Sequence, residues 1–322
     1  MIPPKLKAGD EIRIVAPSHS IPADFSESMR QQAIQGLEKL GLKVTYGKYV
    51  YEVDEFETTT VEHRLIDLHE AYADPKVKGV LAATGGSSVT QILSQIDYDL
   101  VRQNPKILCG LSDVTALSYA MYSKTGIANY YGPHFTMLGA SHIVDYSFES
   151  MKVTLMGEDV VELNASEHYN NAPGESQVIV NEGFWAINDG EAEALGIGGN
   201  FLTTNLVKGS EFMPDIADTI LFMEENYIMD YKDVQNELQS LLHYVRPRSI
   251  KGLLIGRFQR ETGMTRDLLT KIIKSKKELE NIPVVANMDF GHTAPMLTLP
   301  IGGTISMKVQ GDDDVQIKLL KH

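Results

Sequence analysis

The sequence predicts an α/β protein of two domains, an N-terminal α/β domain built on a parallel sheet and a smaller C-terminal domain of mixed α+β character. Three observations predict it. Strand-like and helix-like segments alternate through the first half, as βαβ units require. The second half mixes apolar strands, long helices and a terminal hairpin signal. The chain of 322 residues is also longer than one ordinary domain needs.

The elements follow in order. Glu11 to Ala16 (EIRIVA) reads as a short strand, and Ser26 to Leu40 as an amphipathic helix stopped by Gly41. Leu42 to Val50 reads as a strand. Thr60 to Tyr72 is helical, with Leu65, Leu68 and His69 on one face. Lys78 to Ala83 is an apolar strand, Val89 to Ile96 a helix, Lys106 to Leu111 a strand and Asp113 to Ser123 a helix. Residues 158–177 are polar and aperiodic and contain Asn170-Asn171-Ala172-Pro173-Gly174, which marks a linker. The division is therefore 1–157, a linker, and 178–322. In the second half, Ala192 to Ile197, Asp218 to Met223, Lys251 to Phe258 and Ile282 to Met288 read as strands. Asp230 to Tyr244 is a long helix with Val234, Leu238, Leu241 and Leu242 at helical spacing, and Thr265 to Leu279 is another. Thr304 to Val309 and Val315 to Leu320 flank a Gly-Asp-Asp-Asp turn as a hairpin.

Composition sets limits on function. A formal charge of −14 argues against a nucleic-acid or anionic-membrane partner, because both need a basic footprint. The one cysteine, Cys109, excludes an internal disulfide framework and favours a reducing, cytoplasmic compartment; it sits in a strand and reads as core. No apolar leader and no run of 18 apolar residues is visible. His63 and His69 are six apart, so no H-E-x-x-H zinc helix occurs. Gly196-Ile197-Gly198-Gly199-Asn200-Phe201 lacks the last glycine of a dinucleotide loop, and no phosphate-binding G-x-x-x-x-G-K-[ST] is present.

Four strand ends carry candidate chemistry. Ser112, in Gly110-Leu111-Ser112-Asp113-Val114, lies where a strand meets a helix. It is either an N-cap or a nucleophile whose oxyanion would face the helix N-terminus. Thr84-Gly85-Gly86-Ser87 is either an ordinary βα turn or half of an oxyanion hole. Glu224 and Glu225 follow the apolar strand Ile220-Leu221-Phe222-Met223; a carboxylate there either orients a histidine or is a solvated loop charge, and Glu225 reads as the latter. His292, in Phe290-Gly291-His292-Thr293, is either a hydrogen-bonded loop histidine or a general base. The order Ser…Glu…His is one that known triads use.

Together these segments resemble the LD-carboxypeptidase family, which includes the microcin C immunity peptidases. The resemblance rests on ordered blocks: LKAGDEIRIVAPS, ATGG, IDYDLVRQNPKILCGLSDVTAL, YSKTGIANYYGPH, IGGNFLTTNLVKGSEFMPDIADTILFMEEN and IPVVANMDFGHTAPMLTLPIGG. It implies a serine peptidase with Ser112 as nucleophile, Glu224 as orienting acid and His292 as base. It implies an oxyanion hole from the N–H groups of Gly86 and Asp113, a site in the cleft between the domains, no cofactor or metal, and a homodimer. Trp185 is similar in context to a family aromatic that stacks on a nucleobase, the other reading being a half-buried core residue. The wording RQNPKI, YSKTGI and GHTAPMLTLPIGG is nearer the immunity group, which acts on a small peptide or aminoacyl-nucleotide substrate. The murein tetrapeptide carboxypeptidases are the alternative, and a two-domain binding protein for a small ligand is the non-enzymatic one. Thr84 and Ser87 replace the arginine and tyrosine usual in the murein group, and Val89-Thr90 replaces the Ser-Asn of the immunity group. These departures bear on the substrate and leave the triad positions filled.

Overall fold

The computed structural model describes all 322 residues, Met1–His322. Its mixed α/β architecture agrees with the sequence expectation. In the first half, β1 (Glu11–Val15), β2 (Lys43–Tyr46), β3 (Val77–Ala82), β4 (Ile107–Gly110) and β5 (Asn129–Tyr131) pair in parallel in the spatial order 2-1-3-4-5. β4 is buried throughout, as a strand covered on both faces must be. The helices are α1 (Glu27–Lys39), α2 (Val61–Ala73), α3 (Tyr98–Gln103), α4 (Val114–Thr125), α5 (Phe135–Ala140) and α6 (Asp145–Leu155). Ser26 caps α1 by accepting the Met29 N–H, and Asp97 caps α3 through the Leu100 N–H, so each start has a local cause.

The second half contributes β6 (Val161–Leu163), β7 (His168–Tyr169), β8 (Ile179–Val180), β9 (Trp185–Asn188), β10 (Gly190–Asn200), β11 (Ile220–Glu224), β12 (Gly252–Gly256), β13 (Val284–Met288), β14 (Leu299–Ile301), β15 (Thr304–Val309) and β16 (Val315–Lys321). Its helices are α7 (Phe201–Val207), α8 (Tyr231–Tyr244) and α9 (Arg266–Lys274). Eight strands form one sheet in the order 6-16-15-10-11-12-13-9. Strand β10 joins its two parts: residues 190–195 run antiparallel to β15, and residues 196–200 run parallel to β11.

One apolar core runs through both halves, from Val80 and Leu117 on the first sheet to Leu254 and Val285 on the second. Each fully buried leucine of this kind contributes about 1.5–3 kcal/mol of transfer free energy. A smaller core on the opposite face of the first sheet includes Ile12, Leu37, Phe135 and Phe148.

The structure corrects several expectations. The expected linker, 158–177, is not free chain: β6 pairs with β16, and Asp289 accepts the Ser166 N–H at 2.7 Å. Asp289 is itself held by Arg257 in a buried ion pair at 2.6 Å. A three-residue edge strand is too short to show periodicity. The division at 158–177 is also crossed by β14, which leaves the second half to pair antiparallel with β5. The strand expected over 42–50 stops at Tyr46, because both Asp67 carboxylate oxygens take backbone N–H groups, from Lys48 and Tyr49 at 2.8 Å each. The helix expected over 89–96 is two short 3-10 turns, since the Val89 N–H goes to the Asp113 carboxylate and Arg64 takes the Ser88 carbonyl. The helix expected over 265–279 ends at Lys274, with a separate turn at Lys277–Leu279.

Candidate active site

Gly86, Ser112, Glu224 and His292 lie at or just beyond C-terminal ends of parallel strands, where open α/β sheets present ligands. Ser112 follows β4 and precedes α4 at φ +62°, a left-handed conformation that costs a non-glycine residue of order 1 kcal/mol. Read locally, an N-cap explains a serine here but not that backbone, because N-caps are normally extended. The Ser112 carbonyl accepts the Thr115 N–H at 2.9 Å, fastening the turn to the first turn of α4.

Glu224 ends β11 and has no exposed surface. Its Oε2 meets His292 Nδ1 at 2.7 Å. Its Oε1 accepts from the Tyr131 hydroxyl at 2.6 Å and from Asn200 Nδ2 at 3.1 Å. Burial pushes the Glu224 pKa up, but His292 and these donors outweigh it, and the carboxyl is held below its usual range. Burial pushes His292 down, yet Glu224, aided by Glu225, brings the imidazole above its ordinary value. The two shifts agree on one picture, a carboxylate that favours the imidazolium. Gly291 makes this contact possible. It sits at φ +113°, and a Cβ there would lie 2.5 Å from Glu224 Oε2.

Glu225 is not the solvated loop charge its sequence position suggested. It is 1 % exposed and accepts from Asn200 Nδ2, the Leu202 N–H and the Asn226 N–H. Burial, then the neighbouring Glu224, raises its pKa. Its side chain turns inward because α7 begins beside it and offers an unpaired N–H at its first turn.

Ser112, Gly86 and His292 line one cleft of about 650 Å³ together with His19, Thr84 and His134. Ser112 and His292 make no direct hydrogen bond there. Gly86 has φ +140° and lies so close to Ser18 and His19 that a Cβ would fall 2.4 Å from each. Neither the Gly86 N–H nor the Asp113 N–H donates to a backbone or side-chain acceptor. The Asp113 carboxylate is buried, accepting from Ser18 Oγ and the Val89 N–H, which ties the loops after β1, β3 and β4 together.

Trp185 is brought to a different place. It lines a separate depression on the second half with Arg257, Arg260 and Arg266. Its Nε1 donates to Glu182 at 3.1 Å, and the Arg266 guanidinium lies 5.7 Å from its ring centroid. No group of three or more His, Cys, Asp or Glu side chains is arranged to hold a metal ion, and no helix is long and apolar enough to cross a membrane.

Sequence reasoning missed two site residues. Tyr131, at the end of the unread strand β5, connects the elements: its hydroxyl donates to Glu224 and accepts the Ser112 N–H at 3.3 Å. His134 lies in the block YYGPH. Its Nδ1 accepts the Met137 N–H at 3.2 Å, capping α5, so the proton of the neutral ring is on Nε2. Burial, then His292, lowers the His134 pKa to about 3. Histidine is not among the usual N-cap residues, so no local signal marked that cap.

Comparison with known proteins bears on the same regions. Residues 12–132 match the model of the LD-carboxypeptidase N-terminal domain, and residues 193–307 that of the C-terminal domain. The chain is 40% identical over 305 residues to the carboxypeptidase-like protein YocD of Bacillus subtilis, covering 93% of this chain and 94% of that one. It is 29% identical to the microcin C7 self-immunity protein MccF of Escherichia coli, over 92% of this chain and 90% of MccF. It is 24% identical to the murein tetrapeptide carboxypeptidase of Pseudomonas aeruginosa, over 91% of each. The crystal structure of an MccF-like protein from Bacillus anthracis superposes with a TM-score of 0.96 at 38% identity, covering 100% of both chains. MccF in complex with aspartyl sulfamoyl adenosine superposes at 0.87 with 26% identity, covering 100% of this chain and 99% of that one.

Proposed function

The chain belongs to the LD-carboxypeptidase family, and from that premise we propose that it is a serine peptidase in which Ser112, His292 and Glu224 act as nucleophile, base and orienting acid. The observation that carries the proposal is one of assembly. Ser112, in a strained turn, and His292, held by a fully buried Glu224, face one cleft that Gly86, whose N–H is unpaired, also lines.

His292 Nε2 takes the Ser112 proton as Oγ attacks the amide carbon, and Glu224 stabilises the imidazolium that forms. The tetrahedral oxyanion is received by the N–H groups of Gly86 and Asp113, each such donor being worth roughly 10²–10³ in kcat. His292 then protonates the leaving nitrogen, and water hydrolyses the acyl-enzyme by the same route. The Ser112–His292 hydrogen bond forms when substrate arrives, since such contacts tighten in the Michaelis complex.

For substrate, the reading is the microcin immunity type: cleavage of the amide joining a peptidyl or aminoacyl group to a nucleotide-like portion. The aspartyl sulfamoyl adenosine complex of MccF supports a ligand of that class. Trp185 enters only where a ligand reaches past the cleft into its depression. Homodimeric assembly and a cytoplasmic location complete the proposal, to be checked by light scattering and by cell fractionation. The deciding assay sets an aminoacyl-sulfamoyl adenosine against a murein tetrapeptide. Preference for the tetrapeptide transfers the enzyme to cell-wall recycling. Full hydrolysis by Ser112→Ala overturns the mechanism and favours a binding role for the cleft.

A further inference from the structure

The Ser112 cleft does not end at His292. Past His134 and His292 it opens into a second pocket of about 360 Å³. Much of the surface there is apolar, from Phe25, Met29, Leu111 and Met137, with the amides of Asn226 and Gln259 among the polar groups. The two spaces differ in chemistry. The first is larger and lined mostly by hydroxyls, imidazoles, carboxylates and glycine backbone, whereas the second carries more hydrocarbon and thioether. Apart from imidazoles, the charged side chains lining the two are Asp24 and Glu57, both acidic; no lysine or arginine faces either.

Leu111 immediately precedes Ser112, so the floor of the second pocket begins one residue from the nucleophile. A side chain one carbon removed from a carbonyl bonded to Ser112 Oγ reaches it. The larger polar cleft then remains for the leaving group. His134 stands between the two spaces. Its Nδ1 is spent on the α5 cap, so it presents a neutral Nε2–H and no positive charge.

We infer that the pocket beyond His134 and His292 receives an uncharged, apolar side chain on the acyl side of the scissile amide, so that the enzyme selects neutral apolar aminoacyl groups and rejects acidic ones. This rests on the hydrolase reading and narrows its substrate class. The physical ground is that a carboxylate placed there meets no lysine or arginine, with His292 neutral in the form that accepts the Ser112 proton, lies near Asp24 and loses part of its water against a largely apolar surface. A leucyl side chain gains from the same surface.

The test measures kcat/KM on leucyl-, glycyl- and glutamyl-sulfamoyl adenosine. Leucyl is expected above glycyl, and at least 10-fold above glutamyl. Equal or better hydrolysis of the glutamyl conjugate overturns the inference while leaving the hydrolase intact. In the variant Met29→Lys, an ammonium enters the pocket from the half-buried face of α1. The glutamyl-to-leucyl ratio is expected to rise at least 10-fold, a gain that misfolding cannot produce. An unchanged ratio overturns the assignment of the pocket. Hydrolysis of none of the three overturns the inference and leaves the hydrolase reading to the tetrapeptide assay.

Discussion

Replacing Tyr131 by Phe isolates one oxygen. The ring stays against Phe222, whose centroid is 6.1 Å away, so packing is retained. The lost oxygen made two bonds. The bond to Glu224 is short at 2.6 Å and charge-assisted, worth about 1.5–3 kcal/mol; the bond from the Ser112 N–H, at 3.3 Å, is worth about 0.5 kcal/mol. Glu224 keeps Asn200 and His292, so it is loosened rather than stripped. If the stronger bond is fully expressed as the imidazolium forms, kcat falls by about 10–100-fold. Stability falls by about 2 kcal/mol, which lowers the thermal midpoint by about 3 °C for a chain of this length. Removing the donor also makes Glu224 more basic, which raises the pKa of His292 and moves the acid limb of kcat/KM to higher pH. Full pH–rate profiles separate the effects: a lowered plateau reports orientation, a displaced limb reports charge. A plateau within twofold of wild type, with an unmoved limb, refutes a positioning role for Tyr131.

Further outcomes are expected. His292 must be neutral to accept the Ser112 proton, so kcat/KM rises as pH climbs through its elevated pKa; Glu225→Gln removes a charge that holds this value up and shifts the limb to lower pH, and an upward shift contradicts the electrostatics. Ser112→Ala and Ser112→Gly both abolish hydrolysis, but chemical denaturation finds the glycine variant about 1 kcal/mol more stable, because only glycine is at ease at φ +62°. Gly291→Ala drives a methyl against Glu224 and strains the backbone, so kcat and the thermal midpoint fall together; a variant as stable and active as wild type shows that the loop has room. Asp289→Asn leaves Arg257 charged in the interior and costs about 3–5 kcal/mol by urea unfolding, with a smaller loss contradicting the burial of the pair.

How much was legible varies by element, for physical reasons. Helix starts at Ser26 and Thr60 were readable because a cap is a contact three residues long. The buried strands β4 and β12 were readable because a strand covered on both faces must be apolar throughout. Ser112, Gly86, Glu224 and His292 stood out because each follows such a strand, and turn chemistry is local. Strands β5 and β14, three residues each, carry too little pattern to be seen, and with β5 went Tyr131. Glu225 was misjudged because two of its partners, Asn200 and Leu202, lie at the start of α7, more than twenty residues away.

The sequence by itself therefore determined which residue types stand at the strand ends, since hydrophobic period and turn chemistry are properties of neighbouring residues. Only the tertiary structure decided which strand ends meet. Both Tyr131 bonds depend on β4, β5 and β11 converging, and the Glu224–His292 pair depends on β11 and the loop after β13 lying side by side. Whether two adjacent glutamates are both buried, and which of two cavities a tryptophan lines, follow from long-range packing that no local pattern encodes.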